Sequence, residues 1–280
     1  MKAALIAILL VVCVLPAEAQ QAARDLFGAV DGPSSGATEP IGSYAKGCLA
    51  GGVALPVDGP GWQAMRLSRN RHWGDPKLIA YLEWLSDAVR KDGWNGLLIG
   101  DMSQPRGGPM LGGHASHQTG LDVDIWLEPM PSTTLSADER ETKSAVSVLI
   151  PGTRTADPQK FTRAHAIFVA RAAHHKDVER IFVAPGIKQI MCSMNWQDRT
   201  FLSRIRPWYG HDDHIHVRLS CPTGDAACEE QAAPPKGDGC GEELDWWLSD
   251  EPYKPSDTPP AKPLTLADLP KACAGVLKDD

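Results

Sequence analysis

Apolar residues recur at helical spacing after Asp75, with Leu78, Ile79, Leu82, Leu85, Ala88 and Val89 on one face before Gly93 interrupts the pattern. Asp75 suits an N-cap and Pro76 the first helical position, so this stretch predicts an amphipathic helix of about four turns. Gly96 to Gly100 encloses a short apolar run that reads as a buried strand. Pro105, Gly107, Gly108, Pro109, Gly112 and Gly113 then force a long loop leading to His114. From Asp122 the pattern alternates, with Val123, Ile125 and Leu127 on one face and Asp122, Asp124 and Trp126 on the other. That alternation predicts a half-buried strand with a polar working face. Residues 129–156 are weakly patterned and read as loop, and Asp157-Pro158 opens a second helix running to about His175. Arg180 to Val183 reads as a strand and Ile187 to Met194 as helical. His214 to Leu219 alternates again, which places His214, His216 and Arg218 on one face and Ile215, Val217 and Leu219 on the core face.

The two ends differ from this middle. Ala3 to Leu15 is an apolar run preceded by Lys2 and followed by Pro16-Ala17-Glu18-Ala19, the layout of a secretory signal cleaved after Ala19 and too short for a membrane span. Residues 20–47, rich in Gly, Pro, Ser and Ala, read as an extended arm, and the Pro-rich stretch 221–280 as a tail wrapped over the domain and pinned by cysteines. The chain therefore divides into a signal (1–19), a main domain with its arm (20–220) and a C-terminal extension of that domain (221–280). A net charge of −7 argues against nucleic acid as partner. Cys13 leaves with the signal, and the remaining six, Cys48, Cys192, Cys221, Cys228, Cys240 and Cys273, lack zinc-knuckle spacing. An even count in an exported chain favours disulfides, although spacing alone does not choose among the pairings.

Nine histidines are unevenly placed. His72, His165, His174 and His175 read as incidental, whereas His114 and His117 precede the Asp124 strand and His211, His214 and His216 fall together. His117, Asp124 and His216 match the three-ligand count of a catalytic zinc, which keeps its fourth position for water. Two competing nucleophile motifs fail on context. Gly32 to Gly36 matches G-x-S-x-G without a strand before it or a helix after it, and Ser43-x-x-Lys46 has no S-D-N or K-T-G partner downstream.

His117, then Asp124, then the His214-x-His216 strand resembles the zinc metallopeptidase group that includes lysostaphin, D-Ala-D-Ala carboxypeptidases and hedgehog-type domains. Gly112 to Trp126 (GGHASHQTGLDVDIW) narrows the resemblance to the penicillin-insensitive murein endopeptidase family. Ile41 to Cys48, Arg180 to Val183 and Arg206-Pro207-Trp208 point the same way. The resemblance implies an α+β fold around a small central antiparallel sheet carrying the zinc site, flanked by helices and long loops. It implies a periplasmic enzyme that hydrolyses the D-alanyl to meso-diaminopimelyl cross-bridge of peptidoglycan. By position, His117, Asp124 and His216 resemble the zinc ligands and His214 the catalytic histidine. His114 and His211 match further active-site histidines, His114 being a metal ligand in some forms of the site. The disulfides implied are Cys48–Cys273, Cys192–Cys240 and Cys221–Cys228. The Asp-x-x-His of some relatives is missing between residues 125 and 175, which argues against a second zinc.

On this reading His214 takes the proton from a zinc-activated water, and His211 or His114 stabilises the oxyanion. Asp122 orients a ligand histidine or is simply solvated, and Arg218 faces substrate carboxylates or pairs with an acid. Trp126 and Trp208 are assigned to packing. The competing readings are a D,D- or L,D-carboxypeptidase acting on uncross-linked stems, and a non-catalytic zinc-containing cell-wall-binding module.

Overall fold

The computed structural model describes residues 21–279; the expected signal segment lies outside the described residues. The architecture is α+β. A seven-stranded sheet runs in the spatial order Ile205–Pro207, Val178–Val183, His214–Leu219, Asp122–Pro129, Leu97–Ile99, Trp62–Ala64, Asp58–Gly59. Its middle is antiparallel, and parallel pairs occur further out, between Ile205–Pro207 and Val178–Val183 and between Trp62–Ala64 and Leu97–Ile99.

The helix Pro76–Lys91 forms where its spacing predicts, and the Asp75 side chain accepts a hydrogen bond from the Lys77 amide at 2.8 Å. Its buried face of Leu78, Tyr81, Leu82, Leu85 and Val89 joins Phe168 and Val169 of the helix Arg163–Ala173 in one apolar cluster. Val123, Ile125 and Leu127 meet that cluster from one strand, and Ile215, Val217 and Leu219 from its neighbour. One sheet face is thus fully committed to the core, which leaves the other for polar chemistry.

Local readings needed correcting at four places. The Asp122–Pro129 strand is buried on both faces through Leu127, its polar side being covered by side chains from the facing strand and from the loop around His117. The second helix begins at Arg163: Asp157-Pro158 closes a single turn, and Thr162 and His165 then cap the helix proper. Residues 129–156 contain a short helix, Ala137–Thr142, announced by the Ser136-x-x-Glu139 capping box. The amino-terminal arm is not simply extended, since it contains the helix Ala23–Phe27 and the strand Glu39–Ser43, paired with Lys46–Ala50. Gly32 to Gly36 is a loop, as expected; the Ser34 hydroxyl accepts the Gly51 amide and the Ser35 hydroxyl donates to Asp279.

The segment from Gly100 to Met110 is buried despite being irregular, so its backbone needs partners. The Gln104 side chain donates to the carbonyls of Gly107 and Pro109, and the amides of Met102, Ser103 and Gly108 donate to those of Arg71, Trp73 and Gln118. The Arg106 guanidinium in turn donates to the carbonyls of Val276 and Leu277. Gly107 sits at φ +64°, where any Cβ would fall 2.1 Å from the Gln118 carbonyl oxygen. Only glycine lets the loop pack so closely.

Three disulfides form: Cys48–Cys273 and Cys192–Cys240 tie distant segments together, and Cys221–Cys228 closes a local loop. The first joins the amino-terminal hairpin to the helix Cys273–Lys278, and around it Ala23, Phe27, Ile41, Leu269 and Val276 form a second, smaller apolar cluster. No helix among the described residues is long and apolar enough to cross a membrane.

Asp75→Ala removes the side-chain cap of the helix that covers the sheet and is expected to destabilise the protein by about 1 kcal/mol in urea unfolding. An unchanged midpoint would show that the cap is dispensable.

Candidate metal centre

Strand register assembles the site. In the pairing of Asp122–Pro129 with His214–Leu219, His216 stands opposite Asp124 and Arg218 opposite Asp122. Directly opposite residues share a face and lie close enough for side chains to interact. Two sequence-distant polar sets thereby become one cluster on the face that the helices leave free.

His117 enters from the loop. Its backbone lies at φ +67°, a left-handed conformation uncommon for a residue with a Cβ and costing on the order of 1 kcal/mol or more. Hydrogen bonds hold it there: its amide donates to Asp122 Oδ2 at 3.2 Å, and the Gln118 side chain donates to the Ala45 carbonyl at 2.8 Å while accepting the Gly47 amide at 3.1 Å. The imidazole is fully buried, and neither Nδ1 nor Nε2 has a hydrogen-bond partner. Asp124 Oδ1 is buried and unpartnered as well, although His216 Nδ1, His117 Nε2 and His214 Nε2 lie 3.1, 3.4 and 3.7 Å away. Unpaired buried polar atoms cost free energy and call for an explanation. Donor atoms of His114, His117 and Asp124 within 4.8 Å of one another are a group able to hold a metal ion. Imidazole nitrogen with carboxylate oxygen is a donor set that suits zinc.

The remaining contacts orient these groups. His216 Nε2 lies 2.9 Å from Asp122 Oδ1, an oxygen that also accepts Arg218 Nε at 2.7 Å, so Nδ1 is the nitrogen turned toward Asp124. Burial pushes the Asp122 carboxyl up, but Arg218 and His216 outweigh it and hold the group well below the usual carboxylate range. Asp124 is lowered too, against burial, by the surrounding imidazoles. His114 Nε2 is 3.0 Å from Asp101 Oδ2 and 3.6 Å from Asp124 Oδ2.

His214 Nδ1 meets Asp213 Oδ1 at 2.5 Å, which directs its Nε2 toward Asp124. Burial opposes charge on His214, yet the Asp124 carboxylate and the Asp213 bond raise its pKa overall. In His211, Nδ1 faces the Tyr209 carbonyl, which can only accept, so this nitrogen carries the hydrogen. Burial, followed by the neighbouring His216 and His214, pushes its pKa down to about 3 and keeps the ring neutral.

All six residues singled out as ligands or catalytic groups therefore gather in one place, and Asp122 and Arg218 stand directly behind them. The four histidines set aside lie elsewhere; His165, for instance, accepts the Thr162 amide as a helix cap. Trp126 packs with Met65 and Leu98, whereas Trp208 is half exposed. Two residues escaped the sequence reading. Asp101 accepts from Arg69 and Arg71 at 2.9 and 2.8 Å; burial pushes it up, but His114 and the two arginines bring its pKa to about 2. Its signal was a carboxylate just past the Leu97–Ile99 strand, and Asp213 was an acid adjoining His214.

A family model described as penicillin-insensitive murein endopeptidase matches residues 40–278. The chain belongs to this family. Penicillin-insensitive murein endopeptidases of Klebsiella pneumoniae and Salmonella newport are each 42% identical to it over 247 residues, covering 88% of this chain and 89% of theirs. The matched region contains every residue of the cluster described above.

Zinc added to chelator-treated protein is expected to stabilise it by about 2.7 kcal/mol at a hundredfold excess over Kd, read as a rise in Tm. Asp124→Ala should abolish that rise. Asp122→Ala should weaken zinc binding by roughly 10- to 100-fold in competition titrations, since it removes the partner that orients His216 beside Asp124.

Proposed function

We propose that this protein is a zinc-dependent murein endopeptidase that hydrolyses the D-alanyl to meso-diaminopimelyl cross-bridge of peptidoglycan in the periplasm, after removal of residues 1–19. The observation that carries the reading is the buried, unpartnered donor set of His117 and Asp124 in a chain of this family. His117, Asp124 and His216 through Nδ1 would hold the metal. His114 stands near enough to be a fourth ligand, but its Nε2 is nearer Asp101 than Asp124, and four protein ligands would close the site to substrate. We therefore assign His114 to the substrate side.

Bound zinc supplies Lewis acidity, polarising the scissile carbonyl and lowering the pKa of water from about 16 to about 7. His214 moves the proton. With its Nδ1 hydrogen given to Asp213, Nε2 offers a lone pair to the attacking water and later returns the proton to the leaving amine. His211 cannot serve as a neutral oxyanion donor, because its one N–H is spent on the Tyr209 carbonyl. It acts instead as an acceptor that orients water or the substrate's N–H. His114 and His214 line a hollow of about 340 Å³ beside Asp124, which gives a peptide room to reach them.

No serine acyl-enzyme takes part, so penicillin should leave the activity intact and a chelator should abolish it. The test is muropeptide chromatography after digestion of purified sacculi with and without chelator. Loss of cross-linked dimers with gain of monomers supports the endopeptidase, whereas trimming of monomer stems alone would favour a carboxypeptidase. His214→Ala should retain zinc by metal analysis while kcat falls on the order of 10²- to 10⁴-fold. Unaltered turnover would remove His214 from this role.

A further inference from the structure

On the other side of His216 from the hollow just described lies a second one of about 320 Å³. Arg180, Arg206 and Arg218 line it together, each at least nine-tenths buried. Among the described residues the only carboxylate in its wall is Glu243. Buried cations ordinarily have partners, and two of these have close ones. Arg218 donates to Asp122 behind the metal cluster, and Arg206 pairs with Glu243.

Arg180 is the most loosely paired of the three. One terminal nitrogen donates to the Ala232 carbonyl, but Nε is buried without a hydrogen-bond partner, and its ion pair with Glu179 spans 3.7 Å. Burial raises the Glu179 carboxyl to about 6. Burial lowers the Arg180 pKa, Glu179 opposes that shift, and the like charges of Arg218 and Arg206 add to it. The hollow is an electropositive cavity, with three buried guanidinium groups and one carboxylate in its wall, and it adjoins His211 and His216.

We propose that this cavity is a subsite for a substrate carboxylate on the leaving-amine side of the scissile bond, with Arg180 as its principal contact. The proposal rests on the peptidase reading above. In the meso-diaminopimelyl cross-bridge a free carboxylate sits on the carbon bonded to the scissile nitrogen, so a peptide whose carbonyl lies at the His216 cluster carries that anion next to the cavity. Trp208 and Trp247 form part of the wall and report on occupancy.

The experiment is stopped-flow tryptophan fluorescence of the zinc-loaded protein, recorded before turnover. The probes are an acylated D-alanyl-meso-diaminopimelic acid joined at the D-centre and the same compound with the D-centre carboxylate amidated. Wild type is expected to bind the acid on the order of 10- to 100-fold more tightly than the amide, the worth of one charge-assisted hydrogen bond. In Arg180→Gln that ratio should fall below about threefold. Equal binding of acid and amide by wild type overturns the subsite, as does an undiminished ratio in a folded Arg180→Gln. The wild-type comparison needs no variant, so the proposal stays falsifiable if Arg180→Gln does not fold. A preserved ratio without cleavage of either probe or of sacculi would sink the peptidase reading and leave the carboxylate subsite standing.

Discussion

The structure turns on one buried carboxylate. Asp122 is inaccessible to solvent, yet it stays ionised because Arg218 donates to it from the facing strand. With its two oxygens it then serves both halves of the centre: Oδ1 orients His216, and Oδ2 holds the amide of His117 in its left-handed conformation. Without that anion His216 would lose the partner that selects which nitrogen faces Asp124, and the strained turn at His117 would lose the acceptor of its own amide. A carboxylate without its guanidinium would in turn be too costly to bury.

Irregular backbone is normally solvated, but from Gly100 to Met110 the chain is buried, and the amides of Met102, Ser103 and Gly108 donate to Arg71, Trp73 and Gln118 while Arg106 reaches carbonyls of the carboxy-terminal helix. The Cys48–Cys273 disulfide fastens that helix to the amino-terminal hairpin. The chain ends thus brace this buried segment. Stability is spent here on keeping unpaired groups in place, the expected signature of a site built for something other than its own folding.

Two hollows flank the cluster, one beside Asp101, His114 and His214, the other beside Arg180 and His211. A peptide lying across the donors would occupy both. The chemistry of the two sides differs: one presents the imidazoles of His114 and His214, the other a surplus of guanidinium. This asymmetry gives an extended substrate a direction, which a symmetric cleft would not.

Alternation of apolar and polar residues sufficed to mark Asp122–Leu127 and His214–Leu219 as strands and to choose their working faces, because side-chain direction along a strand is a local property. Helical spacing and the Asp75 cap did the same for Pro76–Lys91. The motif around His114 to Asp124 named the donors. Tertiary structure alone decided what depends on distance across the chain: that His216 faces Asp124 and Arg218 faces Asp122, that His211 carries its hydrogen on Nδ1, and that Asp101 and Asp213 anchor His114 and His214. It also decided that the polar strand face is buried, since the groups that cover it come from the facing strand and from the loop around His117. Local pattern encodes direction, whereas register, tautomer and burial arise only when separate segments meet.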